Sequence, residues 1–188
     1  MKRKDEAKAK EILAATLAVV DEQGIAGLSM EAVARRAGVA TGTLYVYHAG
    51  KEALLEAAYV ATKRAMAQAV FRDDGLPVRP AFLRMAEAYL AYLVEHRAEI
   101  AFLDQVRLST FLSDEARAAT ADSTAVIAQL LERGKREQLL KELDTPLLIA
   151  FLHGAMREVA PELARLPAAR RAARREQVAL LCWDALTR

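Results

Sequence analysis

Residues 29–51, SMEAVARRAGVATGTLYVYHAGK, decide the fold of this chain. The stretch predicts two short helices joined by a turn, because Ser29 is a favoured N-cap and Gly38 a favoured helix end. Thr41 is the expected cap of the second helix, and Leu44 is its expected buried anchor. The remaining small, hydroxyl and aromatic side chains are left to face outward. Such a surface is typical of a recognition helix in the DNA major groove.

The composition of the 188 residues favours one class of secondary structure. Hydrophobic residues make up 54% and charged residues 28%, a balance typical of globular proteins. Alanine, leucine, glutamate and arginine fill most segments, and none shows convincing strand alternation. The sequence therefore predicts an all-α fold, with an N-terminal three-helix helix-turn-helix domain. A C-terminal helical bundle follows and is expected to dimerise through its last two long helices.

Glycine and proline positions divide the chain into expected elements. The DNA-binding domain is predicted at residues 1–50, with helices at about 4–23, 29–37 and 41–48. A long fourth helix at about 51–71 joins it to an effector-binding and dimerisation domain at 51–188. Within that domain we expect helices at about 98–111 and 114–137. A further helix begins at Thr145, with Pro161 and Pro167 marking its end.

Charge and cysteine usage limit the cellular context. The net charge is only +2, but Lys2, Arg3 and Lys4 begin a basic stretch that could lie along phosphate or be a solvated tail. Cys182 is the only cysteine, so no intrachain disulfide can form, and a reducing cytoplasm is expected. No apolar run is long enough to span a bilayer, and we expect no membrane partner.

A specific pattern surrounds the two short helices. An amphipathic helix is followed by GIAGLSMEAVARRAGVATGTLY at 24–45 and by GKEALLEAA at 50–58. The first seventy or so residues thereby resemble the TetR (tetracycline repressor) family of bacterial transcriptional regulators, and the rest matches only in architecture. The resemblance implies a homodimer on a near-palindromic double-stranded DNA operator, with half-sites about 34 Å apart or a multiple of it. It also implies a repressor that a small-molecule effector releases.

The resemblance assigns roles to individual residues. Those expected to face bases are Thr41, Gly42, Val46 and Tyr45, the last reaching either a base or the adjacent backbone. Those expected at phosphates are Ser29, Arg36, Thr43, Tyr47 and Lys51. Three alternatives stay open: Tyr45 could be a packing residue, Ser29 could be only a helix cap, and Arg36 could be solvated.

Some positions depart from the family pattern. Glu31 stands where arginine is common, and would repel a phosphate but could accept a hydrogen bond from cytosine. His48 stands where phenylalanine is frequent. It could donate to a phosphate or pack as a neutral histidine against the first helix, and we favour packing. These departures bear on which operator is bound.

The C-terminal part supplies candidate ligand and subunit contacts. An apolar set with a few polar tips could line an effector pocket for an apolar or aromatic molecule, although each member could equally be core: Met66, Tyr89, Tyr92, His96, Phe102, His153 and Trp183. The segment from Leu147 to Val159 is apolar nearly all round, so one side should meet a second subunit. The predicted dimer interface comprises Leu148, Phe151, Leu152, Gly154, Ala155, Leu181 and Trp183.

Two rival classes of function remain to be weighed. An enzyme is disfavoured, because His48, His96 and His153 lack metal-ligand spacing and no nucleophile motif or phosphate-binding glycine loop occurs. We therefore expect no catalytic residue, metal or cofactor. The second rival is a helical interaction protein that kept the fold and lost operator recognition.

Overall fold

The computed structural model describes residues 2–72, 75–107 and 109–187, with the side chains of 2–6, 119, 120 and 122–124 outside that description. In these ranges the chain is helical and contains no β-strand, which confirms the all-α prediction. The helices are α1 Lys2–Gly27, α2 Met30–Ala37, α3 Thr41–Tyr47, α4 Lys51–Val70, α5 Val78–Glu95, α6 Arg97–Arg107, α7 Asp114–Arg136, α8 Thr145–Arg165 and α9 Ala168–Leu186.

Backbone contacts divide the chain into two compact units. The N-terminal unit comprises Met1–Arg64 and Arg97–Thr120, and the C-terminal unit comprises Ala65–His96 and Ala121–Arg188. Helix α6 and the beginning of α7 are therefore grouped with the helix-turn-helix segment, although they follow α5 in the sequence. The predicted functional boundary at residues 50 and 51 stays a prediction.

In the N-terminal unit, α1 packs against both α2 and α6. Its apolar face buries Ile12, Val19 and Val20, while α6 buries Phe102 and Val106. Full burial of one such side chain stabilises the folded state by about 1.5–3 kcal/mol. The amphipathic pattern of α1 thus provides the support on which the helix-turn-helix segment rests.

One polar contact joins α4 to the beginning of α7 within this unit. The Glu56 carboxylate accepts hydrogen bonds from the Ser113 backbone N–H at 2.8 Å and from its hydroxyl at 3.0 Å. The Ser113 hydroxyl in turn accepts from the Ala116 N–H at 3.1 Å. Ser113 therefore caps α7 in the usual way for a serine, and Glu56 holds the cap in place.

In the C-terminal unit, α5 packs against α8 and α9, and these two pack against each other. The rings of Phe82 and Trp183 lie 5.4 Å apart in a tilted arrangement. The side chain of Leu140 also comes close to the backbone of Gly134, near the end of α7. A Cβ at this position would lie 2.6 Å from Cδ1 of the buried Leu140, so only glycine fits without displacement.

Several helix ends differ from the predicted ones. Helix α1 is interrupted at Gly24, where φ is 69° and ψ is 172°, and one more helical turn follows to Gly27. Helix α6 ends at Arg107 rather than near residue 111, because the Ser109 N–H turns back to the Val106 carbonyl at 2.9 Å. The predicted extension of α6 was therefore wrong.

Pro161 was expected to mark the end of α8, but α8 continues through it to Arg165. A proline inside a helix removes one backbone hydrogen bond and is normally unfavourable. Here Ala160 and Leu163 on either side are buried, so the packing of the last turn outweighs that loss. The exposed Pro161 faces away from this packing.

Candidate nucleic-acid interface

The two ends of α2 follow directly from the sequence. The Ser29 hydroxyl accepts a hydrogen bond from the Ala32 N–H at 3.1 Å, and Ser29 itself has extended backbone angles. At the other end Gly38 is left-handed, with φ 67° and ψ 30°, a conformation that glycine adopts without strain. Ser29 therefore caps α2, and its predicted contact with phosphate stays a prediction.

Helix α3 contains seven residues, and Leu44 is its one buried side chain. Ala40 is the N-cap and makes no side-chain bond, so the prediction that Thr41 caps this helix was wrong; Thr41 is its first residue. The prediction that Leu44 is the buried anchor is confirmed, since none of its surface is exposed. One buried residue in seven leaves most of α3 open to a partner.

The outward surface of α3 is unusually apolar for a short exposed helix. Val46 is 81% exposed, and Tyr45 and Tyr47 are about half exposed at 50% and 51%. Gly42 is exposed with open space around it, while Thr41 and Thr43 are half-buried. The predicted base-facing residues thus lie on a helix that presents them to solvent. Their contact with DNA stays a prediction.

Two of the predicted phosphate ligands have partners within the protein. The Lys51 ammonium donates to the Ala26 carbonyl at 3.1 Å, which ties the beginning of α4 to the end of α1. Arg36 donates to both carboxylate oxygens of Glu22, each at 2.7 Å. An exposed ion pair of this kind contributes about 0.2–1 kcal/mol. Glu22 also partly neutralises Arg36, which weakens it as a phosphate ligand.

Glu31 has a structural explanation. It lies exposed in the first turn of α2, where the helix dipole favours a negative charge. The same charge lies two residues from Ser29, and it would oppose a phosphate brought to that helix end. Sequence reasoning anticipated this conflict, and the structure keeps the carboxylate at the protein surface.

A largely apolar cleft of about 350 Å³ lies between α1 and α4 beside the end of α3. His48 lines it together with Ile12 and Leu13 from α1 and with Leu54 from α4. The imidazole is half-buried, and this burial lowers the pKa of His48 below its usual value. The placement supports the interpretation that His48 packs as a neutral side chain next to α1.

The residues predicted to line an effector pocket are divided between the two units. Phe102 is buried in the N-terminal unit, whereas the other members belong to the C-terminal unit. In that unit Tyr92 stacks on His96, with ring centroids 4.1 Å apart, and Tyr89 stacks on the exposed His153 at 5.8 Å. Met66 and Trp183 are buried. Four of the seven members thus form two ring pairs, and the role of the set in ligand binding stays a prediction.

The predicted dimer interface separates into an inner and an outer group. Leu148, Leu152 and Trp183 are buried in the core of their own chain, and Ala155 is half-buried. Phe151 and Leu181 are 50% and 68% exposed, and open space surrounds Gly154. The exposed residues, with the half-buried Ala155 beside them, can contact another molecule, whereas Leu148, Leu152 and Trp183 can only support that surface from below.

Other sequence-based expectations concern charge, metals and membranes. The side chains of Lys2, Arg3 and Lys4, the predicted basic arm, lie outside the described residues. Within the described residues, His, Cys, Asp and Glu side chains form no group of three or more that could hold a metal ion. In the same part of the chain, no helix is both long enough and apolar enough to cross a bilayer.

Comparison with known proteins bears on the helix-turn-helix segment and on the fold. Residues 12–58 match the family of bacterial regulatory proteins, tetR family. A protein from Shewanella sp. PV-4 assigned to tetR family transcription regulators is 25% identical, with a TM-score of 0.81 over 96% of this chain and 98% of that chain. A TetR family transcription regulator from Marinobacter aquaeolei VT8 is 22% identical, with a TM-score of 0.86 over 100% and 99%.

The same fold occurs in a fatty acid degradation regulator, FadR, from Bacillus halodurans. It is 21% identical, with a TM-score of 0.73 over 96% of this chain and 97% of that chain. These structures share the fold over nearly the whole chain, whereas the match to the family covers only residues 12–58, from within α1 through α2 and α3 into α4.

The half-buried His48 predicts a pH dependence of stability. Its folded-state pKa lies below the unfolded value of about 6.5, so the unfolded chain binds the proton more readily. The free energy of unfolding therefore has its full value above about pH 6.5 and falls as the pH decreases below that value. Urea unfolding at pH 7.5 and 5.5 should show a smaller loss of stability in His48→Phe than in the wild type.

The exposed His153 provides the control, because His153→Gln should keep the full pH dependence. An unchanged pH dependence in His48→Phe would contradict the packing role. So would a large loss of DNA affinity in that variant without a change in its stability.

Proposed function

Because the chain is a DNA-binding transcription regulator of the TetR family, we propose that it is a repressor that binds a near-palindromic operator as a dimer. The exposed face of α3 carries this proposal. Val46 exposes 81% of its apolar side chain to water. This exposure does not serve the packing of α3, because Leu44 is the residue that anchors this helix in the core. Exposed apolar surface that is not needed for packing is typical of a site that binds a partner.

The chemistry of this face fits the major groove. Val46 can contact the C5-methyl group of thymine, and the small Gly42 allows the helix backbone to come close to base edges. The hydroxyls of Tyr45 and Tyr47 can reach bases or phosphates beside the groove. The phosphate contacts at Ser29, Thr43, Lys51 and Arg36, and those of the basic arm, would set the orientation of the protein. As a DNA-binding protein it would act in the bacterial cytoplasm.

Selection of bound sequences from random DNA tests operator recognition. We expect two inverted half-sites whose centres are separated by about 10–10.5 base pairs or a multiple of it. Val46→Gln should change the bases selected at one position in each half-site. Lys51→Met should instead weaken binding to all sequences and reduce the salt slope by about 0.9 for each subunit, or about 1.8 for the bound dimer.

Arg174→Met is the matched control, because Arg174 is exposed on α9 in the other unit and should leave the salt slope unchanged. Unfolding free energies are measured for each variant, since Lys51 also bonds to Ala26. Failure to enrich any sequence would favour the alternative, a helical interaction protein that lost operator recognition. If Val46→Gln selects the same DNA sequence as the wild type, Val46 does not contact a base.

The dimer would form through the exposed faces of α8 and α9. Leu147, Phe151 and Gly154 follow helical spacing along one side of α8, and Leu181 lies exposed on α9. The three large side chains are 50–68% exposed, although α8 and α9 pack against each other. Two copies related by a two-fold axis would bury this face as a four-helix interface, and Gly154 would allow the helices to approach closely.

Charges placed on this face should separate the subunits. We expect Phe151→Asp combined with Leu181→Asp to sediment as a monomer and to lose most of its operator affinity, because each half-site would then be bound independently. Leu143→Asp replaces a leucine outside α8 and α9 that is 46% exposed, and this variant should remain dimeric. A doubly substituted protein that still sediments as a dimer would contradict this interface.

We propose that an apolar or aromatic effector releases the protein from DNA. Support comes from the aromatic composition of the C-terminal unit, with Tyr89, Tyr92, His96, His153 and Trp183 in or beside its core. The likeness in fold to a fatty acid degradation regulator also favours a hydrophobic molecule. Such an effector must bind more tightly to the form that does not fit the operator, and DNA must weaken its binding by the same factor.

A thermal-shift screen with long-chain fatty acids and aromatic compounds tests this proposal. An effector should raise the unfolding temperature, lower operator affinity, and change the fluorescence of Trp183, the only tryptophan in the chain. Operator DNA should reduce the affinity for the compound by the factor with which the compound reduces the affinity for DNA. A screen in which no hydrophobic compound stabilises the protein would count against such an effector.

A further inference from the structure

We propose that the cleft between α1 and α4 binds a neutral molecule with two fused aromatic rings and one hydroxyl group. The described residues that line it belong to the N-terminal unit, and its volume is about 350 Å³. We call it the alanine cleft, after Ala57, Ala58 and Ala61, which line it from α4. None of its described lining residues belongs to the set that the sequence predicted for an effector pocket. The site is therefore additional to the one proposed for an effector in the C-terminal unit.

Short side chains on α4 explain why the alanine cleft is open. Ala57, Ala58 and Ala61 line it from α4, and Ile12 and Leu13 line it from α1. An alanine side chain ends at Cβ, so these three positions fill little of the space next to α1. Protein interiors are normally packed as densely as organic crystals, and an unfilled apolar gap lacks dispersion contacts along its walls. A bound molecule would supply these contacts.

The inner wall of the alanine cleft is apolar. Ile12, Leu54 and Ala58 line it and are buried. Thr16 is buried as well, but its hydroxyl already donates to the Ile12 carbonyl at 2.8 Å. A charged group placed against this wall would lose its hydration without gaining a partner there, so the wall favours a neutral ligand.

Two cations also line the cleft, from the N-terminal part of α1. Lys8 is half-buried and Lys10 is exposed. Either could pair with an anionic ligand, whereas the buried wall offers such a ligand nothing for its charge. Uncharged residues make up the rest of the described lining, so a neutral ligand fits it best, and a carboxylate compound tests the anionic alternative.

A polar group reaches the alanine cleft from the end of α3. It is the imidazole of His48, the residue that follows the last residue of α3. Partial burial lowers the pKa of His48 and so favours its neutral form. A neutral imidazole carries one N–H donor and one nitrogen acceptor, so it can form a hydrogen bond with a hydroxyl group in either direction. A ligand bonded there would contact the end of the helix that we propose reads the bases.

The volume of the alanine cleft and the residues around it favour two fused aromatic rings. An apolar cavity of about 150 Å³ holds one benzene ring, so a cleft of about 350 Å³ has room for two. The aromatic ring of Tyr47 lines the same cleft, and aromatic rings attract one another in stacked or edge-to-face arrangements. A fused ring system is also rigid, so it loses less conformational entropy on binding than a flexible alkyl chain.

Equilibrium dialysis of the full-length protein without DNA tests the proposal. The probes are 2-naphthol, naphthalene, 2-naphthoate and decahydro-2-naphthol, and we expect saturable binding of 2-naphthol. The anion 2-naphthoate should bind at least about tenfold more weakly, because its charge would be desolvated against an apolar wall. Naphthalene lacks the hydroxyl group and decahydro-2-naphthol lacks the aromatic rings, so each should bind about threefold more weakly or less.

His48→Phe tests the hydrogen bond to the hydroxyl group. In the wild type 2-naphthol should bind more tightly than naphthalene, and in this variant the ratio of the two affinities should fall to about one. The ratio is compared rather than either affinity alone, because phenylalanine also changes the shape of the cleft. An unchanged ratio would overturn the assignment of the hydroxyl group to His48.

Ala57→Met and Ala61→Met test the location by filling the cleft. Methionine favours helices and adapts to irregular gaps, so both variants should stay folded while their side chains occupy the space of the ligand. Each should weaken binding of 2-naphthol by about tenfold or more. Ala118→Met makes the same change at an exposed position of α7 in the same unit and should have no effect. Unfolding temperatures confirm that the three variants are folded.

Four results would overturn the proposal. They are no saturable binding of 2-naphthol, binding of 2-naphthoate as tight as that of 2-naphthol, equally tight binding of decahydro-2-naphthol, and equal binding of 2-naphthol by the wild type and both methionine variants. The last result would place the compound elsewhere, for example at an effector site in the C-terminal unit. None of these measurements depends on DNA, so failure here would leave the proposed operator recognition untouched, and failure of operator recognition would leave this result standing.

Discussion

The burial of Leu44 holds α3 in place, and every proposed base contact depends on it. A helix of seven residues is far too short to remain folded alone in water. Burial of one leucine contributes about 1.5–3 kcal/mol, so this side chain decides whether the exposed face of α3 exists as a surface. Ser29 and Gly38 fix the ends of α2 and thereby the position from which the chain enters α3. The exposed side chains of α3, which we propose to contact DNA, contribute none of this buried surface.

The segment around α2 and α3 could be predicted from sequence because local rules determine it. A serine cap, a left-handed glycine and one apolar anchor act within a few residues of where they stand. The pairing of Arg36 with Glu22 could not be predicted, because the two belong to different helices and only their packing brings them together. The cleft lined by Arg72, Arg84, Arg133 and Arg136 could not be predicted either, because these arginines come from separate parts of the sequence.

The limits of helical periodicity are visible in α8. The apolar character of α8 nearly all round predicted two covered sides; the structure shows the side that packs against α5 and α9, and the side expected to meet a second subunit stays a prediction. The sequence did not indicate which leucines face inward: Leu148 and Leu152 belong to the core of their own chain, whereas Leu147 and Phe151 point away from it. Pro161 was misjudged for a related reason. Its local preference to end a helix is smaller than the packing of Ala160 and Leu163 beside it.

The grouping of α6 with the N-terminal unit has a consequence for synthesis on the ribosome. Helix α1 packs against α6, and Glu56 is bonded to Ser113, yet 32 residues of the other unit, Ala65–His96, come between them in the chain. The nascent N-terminal unit therefore emerges with its apolar surface only partly covered, and it is completed when residues 97–120 leave the exit tunnel. Helix α5 emerges in that interval, before α8 and α9 are available to pack against it. Both units would then expose apolar surface at once, and a chaperone that holds apolar helices would have its greatest effect at this stage.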